Sequence, residues 1–314
     1  MTEAELELLG RVTTILLPHV LMAELIGDLA KSGSKGGAEF VATQARKLRS
    51  AQAAPIRPIS NLLADEAFGR TKPTSSVQLE IEPGRSLELI ELEALASGDP
   101  PEGDHTIGRM LREDAKQSLD RWRGTYDRQG IVLAKSASVD NALEAAEGAL
   151  KNPAVGPLAV AAFCLRDGSA DSATFFYRRT TRRWDWWNEL PLLYHAVLCE
   201  LLTYICWRDG LISNNSNNAL DVQYLWYMLP CPLFASGDKA HIRLAHVLAG
   251  PGNRVLRATD LRADLREIDD PVRERPEMST ATTSHFAQAL PNNRLLQILN
   301  AAQAGGLEGV AALP

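Results

Sequence analysis

The last third of the chain alternates helical runs with short apolar runs, and this alternation limits the fold more than any other feature. The run Leu-Phe-Ala-Ser at 233–236 is apolar and is bounded by turn residues, which is typical of a buried strand. Around it we predict a helix over 219–228, a helix over 240–248, a strand over 253–257 and a helix over 259–268. Strands that alternate with helices indicate the α/β class, and we expect a three-layer α/β/α arrangement around a parallel sheet.

The first fifty residues repeat this pattern. The run 12–17 is apolar and rich in β-branched residues, so it is predicted to be a strand. The run 20–31 has apolar residues at helical spacing and is predicted to be a helix. Helices are also predicted over 2–10 and 38–50.

The middle of the chain carries weaker signals. Short helices are predicted over 85–97, 106–123 and 139–150, separated by turns that contain proline and glycine. A long apolar helix is predicted over 186–207. We therefore expect four parts: the N-terminal part of an α/β domain (1–50), a helical insertion or subdomain (51–185), the C-terminal part of the domain (186–270) and a C-terminal tail (271–314).

Composition narrows the class of protein. The net charge of -6 shows that the whole molecule is not a polycation, so nucleic-acid binding would need a local basic face. The four cysteines form no C-x-x-C pair, which argues against a zinc site. The longest apolar run, 190–207, contains His195 and Glu200 and is too polar for a membrane span. These features, with no signal-peptide pattern at the start, predict a cytoplasmic protein.

Acidic residues stand where the predicted strands end. Asp238 follows the strand at 233–236, and Asp221 lies near the start of the preceding helix. Glu24 lies early in the helix that follows the strand at 12–17, with Asp28 one turn later. Ligands of parallel sheets gather at the carboxyl ends of the strands. Carboxylates that converge there repel each other unless a cation neutralises them, and oxygen ligands alone suit Mg²⁺ or Mn²⁺.

Two stretches together resemble the PIN-type metal-dependent nucleases: LLPHVLMAELIGDL at 16–29 and LDVQYLWYMLPCPLFASGDKAH at 220–241. The resemblance covers 5–31 and about 186–268. It implies that Glu24, Asp221 and Asp238 bind the metal and are the catalytic residues. It also implies that Ser236 is the small hydroxyl residue that often stands two places before the last acid of this family.

The chain departs from the family at its start. PIN domains begin with a strand that ends in an aspartate, and that strand lies between those corresponding to 12–17 and 233–236. None of Glu3, Glu5 or Glu7 is expected on a strand, so no residue takes the role of that aspartate. Two explanations stay open: translation starts upstream of Met1, which we favour, or the protein is a degenerate relative. Either way, weak or absent activity is expected.

Each acid also has a purely structural explanation. Asp238 could cap the helix at 240–248, and Asp221 could be a first-turn acid favoured by the helix dipole. Glu24 could be a surface residue of an amphipathic helix, and Asp28 is expected to be a solvated one. The metal site is favoured because the three acids are expected to converge.

The run RRTTRRWDWWN at 178–188 places arginines beside tryptophans. Arginine binds phosphates and aromatic rings stack on unpaired bases, so Arg178, Arg179, Arg182 and Arg183 are candidate RNA contacts. The alternative is a solvated turn that leads into a buried helix. His241 could approach a phosphate, although a surface position is the simpler expectation.

These features predict an endoribonuclease that hydrolyses RNA phosphodiester bonds with Mg²⁺ or Mn²⁺. A non-catalytic PIN-like scaffold that binds RNA or protein is the alternative, and an unrelated α/β protein is the third. RNA, an antitoxin-like protein or a second copy of the chain are the expected partners, and a membrane is not.

Overall fold

The structure is a computed structural model. It describes residues 1–31, 33, 36–69, 87–100, 102–131, 133–166, 170–182, 185–213, 218–229, 231, 233–250, 254–274 and 283–311.

Helices dominate the described residues, and four short strands lie between them. The helices are α1 (Glu3–Val12), α2 (His19–Leu29), α3 (Ala38–Ser50), α4 (Ile59–Ala67), α5 (Leu87–Ser97), α6 (Glu102–Arg128), α7 (Val139–Lys151), α8 (Gly156–Arg166), α9 (Ala170–Arg182), α10 (Trp186–Glu189), α11 (Pro191–Arg208), α12 (Asn218–Trp226), α13 (Lys239–Leu248), α14 (Ala258–Glu274), α15 (Thr283–Ala289) and α16 (Arg294–Ala311). The strands are β1 (Leu16–Leu17), β2 (Ala54–Pro55), β3 (Leu233–Ser236) and β4 (Arg254–Arg257).

The strands pair in parallel, but within the described residues they form two separate two-stranded sheets. β1 pairs with β2, with Leu16 opposite Ala54, and β3 pairs with β4, with Leu233 opposite Arg254. The fold is therefore helix-rich with two small parallel sheets, which is compatible with the α/β class. A single sheet between two helical layers, as we expected, does not appear among these strands.

Both sheets contact the largest apolar cluster, but their other faces contact different clusters. Leu16 and Phe234 pack against the largest cluster, which is built mainly on α7, α8, α11 and α12. Leu233 of β3 packs against a second cluster, built on α1, α14, α15 and α16. Leu17 of β1 is instead buried in a third cluster, built mainly on α2, α3 and α5.

Two predictions about the N-terminal half are corrected. The predicted strand at 12–17 is mostly not a strand, because α1 continues to Val12 and β1 contains only two residues. The stretch 51–185 is largely helical, but it begins with β2, which pairs with β1 of the N-terminal part. The insertion therefore shares a sheet with the residues before it.

The C-terminal half also differs from expectation. The predicted helix over 186–207 is interrupted at Leu190, after which Pro191 begins a new helix. The expected tail at 271–314 contains α15 and α16, whose Phe286 and Leu295 are buried in the second cluster.

Among the described residues, no single helix is both long and apolar enough to cross a membrane. Val139–Lys151 and Gly156–Leu165 meet that requirement only as a pair, bent by 99°.

Candidate functional site

Asp221 is a carboxylate held among other carboxylates. It lies in the first turn of α12, and 24% of its side chain is exposed. Burial, followed by the negative charges of Glu24 and Asp238, raises its pKa to about 7, while Lys31 acts in the opposite direction. Charged side chains shift the pKa of a carboxyl group in this way only when they lie near it. The structure thus brings the three predicted acids into one electrostatic cluster, which we call the acidic site.

Glu24 joins the acidic site from α2. Its Oε2 accepts a hydrogen bond of 2.5 Å from the Tyr224 hydroxyl, one turn beyond Asp221 on α12. Burial raises the pKa of Glu24, and the Tyr224 hydrogen bond opposes that rise. Asp28 pairs instead with Lys31, so it stands at the edge of the cluster as an ion-pair partner.

Asp238 has the capping role that the sequence left open. It is exposed, and its Oδ1 accepts hydrogen bonds from the backbone N–H of Ala240 at 2.7 Å and of His241 at 3.0 Å. These bonds satisfy two of the otherwise unpaired N–H groups at the start of α13. Capping does not exclude a second role, because the charge of Asp238 still acts on Asp221.

A serine and a histidine connect Asp238 to Asp221. Ser236 Oγ accepts from the Asp238 N–H at 3.1 Å and lies 3.2 Å from His241 Nδ1. The other ring nitrogen, Nε2, is buried, makes no hydrogen bond of standard geometry within the described residues and lies 4.0 Å from Asp221 Oδ1, while the backbone of Asp221 interacts weakly with the ring. Burial lowers the pKa of His241, so the neutral ring is favoured. His241 is therefore not the surface residue that the sequence led us to expect.

A small cavity adjoins this pair. It has a volume of about 10 Å³ and is lined by Asp221, His241, Thr203 and apolar residues. That is about the space of one water molecule. The buried His241 nitrogen and the Asp221 carboxylate thus line a space in which one small polar ligand would find partners.

We tested whether the acidic site suits Mg²⁺ or Mn²⁺. Within the part of the chain that the structure describes, no three His, Cys, Asp or Glu residues are close enough to hold one ion directly. Mg²⁺, however, usually keeps several waters and binds through one or two carboxylates. A partly buried carboxylate with two like-charged neighbours and a buried ring nitrogen nearby fits a hydrated divalent cation, with Asp221 and one neighbour as ligands.

The predicted RNA-binding arginines lie elsewhere. Arg179 donates to the carbonyl of Ala67 and acts on Glu66, which bonds to the start of α11. Asp221 lies beside Thr203, which is also on α11. Thr203 is eleven residues after Leu192, where Glu66 binds, so the two positions are about 16 Å apart along the axis of α11. Arg178 and Arg182 are exposed, whereas Arg183 lies outside the described residues.

The aromatic part of that prediction also changes. Trp186 is only 3% exposed and packs against Tyr194, so its ring does not offer a face to a base. This result agrees with the alternative, a buried helix start.

The chain matches no protein-family model, and comparisons with curated proteins and with solved structures give no match. The acidic site therefore rests on its own geometry. Sequence reasoning missed Lys31 and Tyr224, and it named His241 but expected that residue at the surface. Tyr224 could have been found, because a residue three positions after Asp221 lies on the same helix face.

Proposed function

We propose that this chain is a PIN-like, metal-dependent endoribonuclease whose acidic site binds a hydrated Mg²⁺ or Mn²⁺ through Asp221 and one of its two acidic neighbours, Glu24 or Asp238. The observation that carries the proposal is the grouping of these acids by the residues between them: Tyr224, one turn from Asp221 on α12, donates to Glu24, and His241, whose backbone N–H Asp238 caps, has its Nε2 4.0 Å from Asp221 Oδ1. The raised pKa of Asp221 agrees with this grouping. Glu24 comes from α2 near the start of the chain, whereas Asp221 and Asp238 come from α12 and the turn before α13. A cation would relieve their mutual repulsion, which gives the cluster a chemical reason to exist.

The strand arrangement supports the family resemblance. Asp238 follows β3 and Glu24 lies on the helix after β1, so both acids are at carboxyl ends of parallel strands. Within the described residues these strands belong to two separate two-stranded sheets, so the continuous sheet of the family remains part of the proposal.

The chain's own residues would have distinct tasks. Asp221 would bind the cation in its ionised form, and Tyr224 would hold Glu24 in place. Ser236 would orient His241, whose Nε2 could bond to a water molecule beside Asp221. The bound cation would supply a water of lowered pKa and a positive charge for the phosphodiester oxygens.

The first test measures metal binding to the 314-residue chain by Mn²⁺ titration, followed by calorimetry and by electron paramagnetic resonance. We expect saturable binding in the wild type and a loss of at least tenfold in affinity in Asp221→Asn. Asp140→Asn is the matched control, because Asp140 is an exposed acid in the first turn of α7. Equal affinity in all three proteins would contradict the site.

The second test measures cleavage of single-stranded RNA with Mn²⁺. Cleavage by the wild type is compared with cleavage by Asp221→Asn and by Asp238→Asn under the same conditions. Cleavage that persists in Asp221→Asn would refute the assignment.

A non-catalytic scaffold is the second candidate. It is favoured by the engagement of Glu24 with Tyr224 and of Asp238 with the start of α13, since both carboxylates already have structural partners. This candidate predicts RNA or protein binding without any Mn²⁺ affinity.

A further inference from the structure

A larger cavity opens on the other side of Asp238. It has a volume of about 580 Å³, within the range of ligand-binding pockets. Residues 236–238 form the border that it shares with the acidic site. The rest of its lining includes Lys239, Arg243, His246, Arg257 and Thr259. We call it the basic cavity.

The cations of the basic cavity are arranged along one helix and one strand end. Lys239, Arg243 and His246 are spaced by four and three residues on α13, so they lie on one face of that helix. Arg257 is the last residue of β4, beside the start of α14. All four side chains belong to exposed residues. Arg243 is fixed in position by donating to the carbonyl of Leu211 at 2.6 Å.

The single carboxylate in the lining offsets only part of this charge. Asp238 turns Oδ1 toward the backbone N–H groups of α13, where it serves as the cap. Three lysine or arginine side chains and a histidine thus face one open cavity that contains a single carboxylate. Such an excess of positive charge attracts an anion, and guanidinium groups suit phosphate oxygens in particular.

The helix α13 separates the two sites. Ala240, His241 and Leu244 lie on the side of the acidic site, whereas Lys239, Arg243 and His246 line the basic cavity. A helix with its side chains is about 10 Å across, a distance that a flexible single strand can bridge. The chain therefore carries an acidic site and an anion site side by side, although its net charge is -6.

We infer that the basic cavity binds backbone phosphates of single-stranded RNA next to the phosphodiester that reaches the acidic site. The inference rests on the proposed function and deepens it, because it names where the substrate is held. The cations named above contact phosphates, which makes the binding independent of base sequence and sensitive to salt. This cavity, rather than the arginines at 178–183, is then the RNA-binding surface.

The test measures binding of a fluorescein-labelled twelve-nucleotide oligouridine by anisotropy, in EDTA and at low salt, so that no cleavage can occur. The variant Lys239→Glu/Arg257→Glu reverses two exposed charges of the cavity. We expect its affinity to fall by about tenfold or more, and the slope of log affinity against log salt to become shallower. The matched control is Arg178→Glu/Arg182→Glu, which makes the same charge change on α9 and should bind within twofold of the wild type.

Two further arms separate this inference from the proposed function. Asp221→Asn should lose Mn²⁺ binding and still bind the oligonucleotide in EDTA. RNA binding by the basic cavity can therefore be measured even if the acidic site proves not to bind a metal. An excess of inorganic phosphate should compete only weakly, because one phosphate reproduces a fraction of the contacts. Unchanged binding in Lys239→Glu/Arg257→Glu, loss of binding in the α9 variant instead, or equal binding of a polyglutamate peptide would each overturn the inference.

Discussion

Two carboxylates in this protein have pKa values near 7, yet their surroundings differ. Burial is the main cause at both Glu66 and Asp221. Glu66 accepts hydrogen bonds from the backbone N–H of Leu192 at 2.7 Å and of Leu193 at 2.9 Å, and Arg179 stands nearby. Asp221 instead faces two further carboxylates, and the nearest ring nitrogen is 4.0 Å away.

The comparison shows that a raised pKa does not by itself mark a functional site. Glu66 completes the start of α11, where Leu190 offers no side-chain cap and Pro191 has no N–H. Its partners are already in place, so it is a structural group. Asp221 lacks such partners and repels its neighbours, which is the condition that a ligand can relieve. Substitutions at the two residues should therefore have opposite effects on stability.

The largest effect is expected at Glu66. Glu66→Ala removes the acceptor for two N–H groups at a position that is only 6% exposed. We expect the free energy of unfolding to fall by about 2 kcal/mol, because buried donors without acceptors are costly. Urea unfolding at pH 7 measures the change. Glu144→Ala, at an exposed position of α7, should stay within about 0.5 kcal/mol of the wild type. If Glu66→Ala loses no more unfolding free energy than the control, Glu66 does not stabilise the start of α11.

A smaller effect of opposite sign is expected for Asp221→Asn. The pKa of Asp221 is about 7 in the folded chain against an ordinary value of 3.8, so the folded state binds this proton more tightly than the unfolded state. The ionisation of Asp221 therefore lowers stability as the pH rises from about 4 to about 7, and the loss is complete above that range.

Asparagine removes this loss, so the variant should be more stable than the wild type by about 1 to 2 kcal/mol at pH 8 and nearly equal to it at pH 4. Urea unfolding at the two pH values measures the difference, with Asp140→Asn as control. If Asp221→Asn is less stable than the wild type at pH 8, Asp221 is a structural group like Glu66.

The smallest effect on stability is expected for Asp238→Asn. Asparagine caps helices about as well as aspartate, so the free energy of unfolding should change by less than about 0.5 kcal/mol. Asp238→Ala should lose about 1 kcal/mol, because it has no cap. Thermal unfolding of the two variants distinguishes the contribution of the helix cap to stability from the contribution of the negative charge, because asparagine keeps the cap and alanine removes both. Weaker Mn²⁺ binding in Asp238→Asn, at unchanged stability, would show that the charge has a role of its own.

Local patterns predicted much of the fold around the acidic site. Leu233–Ser236 is a strand as expected, and α13 begins one residue before its predicted start. Both elements are defined by nearby signals: prolines before the strand, and a capping aspartate before the helix. The helix α3 also has its predicted bounds, 38–50.

The secondary-structure predictions failed where contacts between distant parts of the chain determine the structure. Val12 is apolar and β-branched, but it ends α1 and is buried against α14–α16, where its carbonyl accepts from Thr283. No local signal reveals that partner, 271 residues away. The pairing of β1 with β2 was missed for a similar reason, since each strand has only two residues and too short a pattern to recognise.

The candidate site was predicted in part. The three acids could be chosen because each stands at the end of a predicted strand or early in a helix. Tyr224 could also have been chosen, because it lies one turn from Asp221 on α12. Lys31 and His241 could not be placed beside Asp221, because they approach it only after α2, α12 and α13 have packed together. The basic cavity was missed because its cations are spaced along α13 and β4, whereas the arginines at 178–183 form an obvious cluster in the sequence.

The connection between β3 and α13 consists of only Gly237 and Asp238. An α-helix turns by about 100° per residue, so deleting or inserting one residue there would rotate every side chain of α13 by that angle. His241 would leave Asp221, and Arg243 would leave the basic cavity, in the same movement. The length of this two-residue turn thus sets the registration of both sites at once, and it should tolerate substitutions far better than any change in its number of residues.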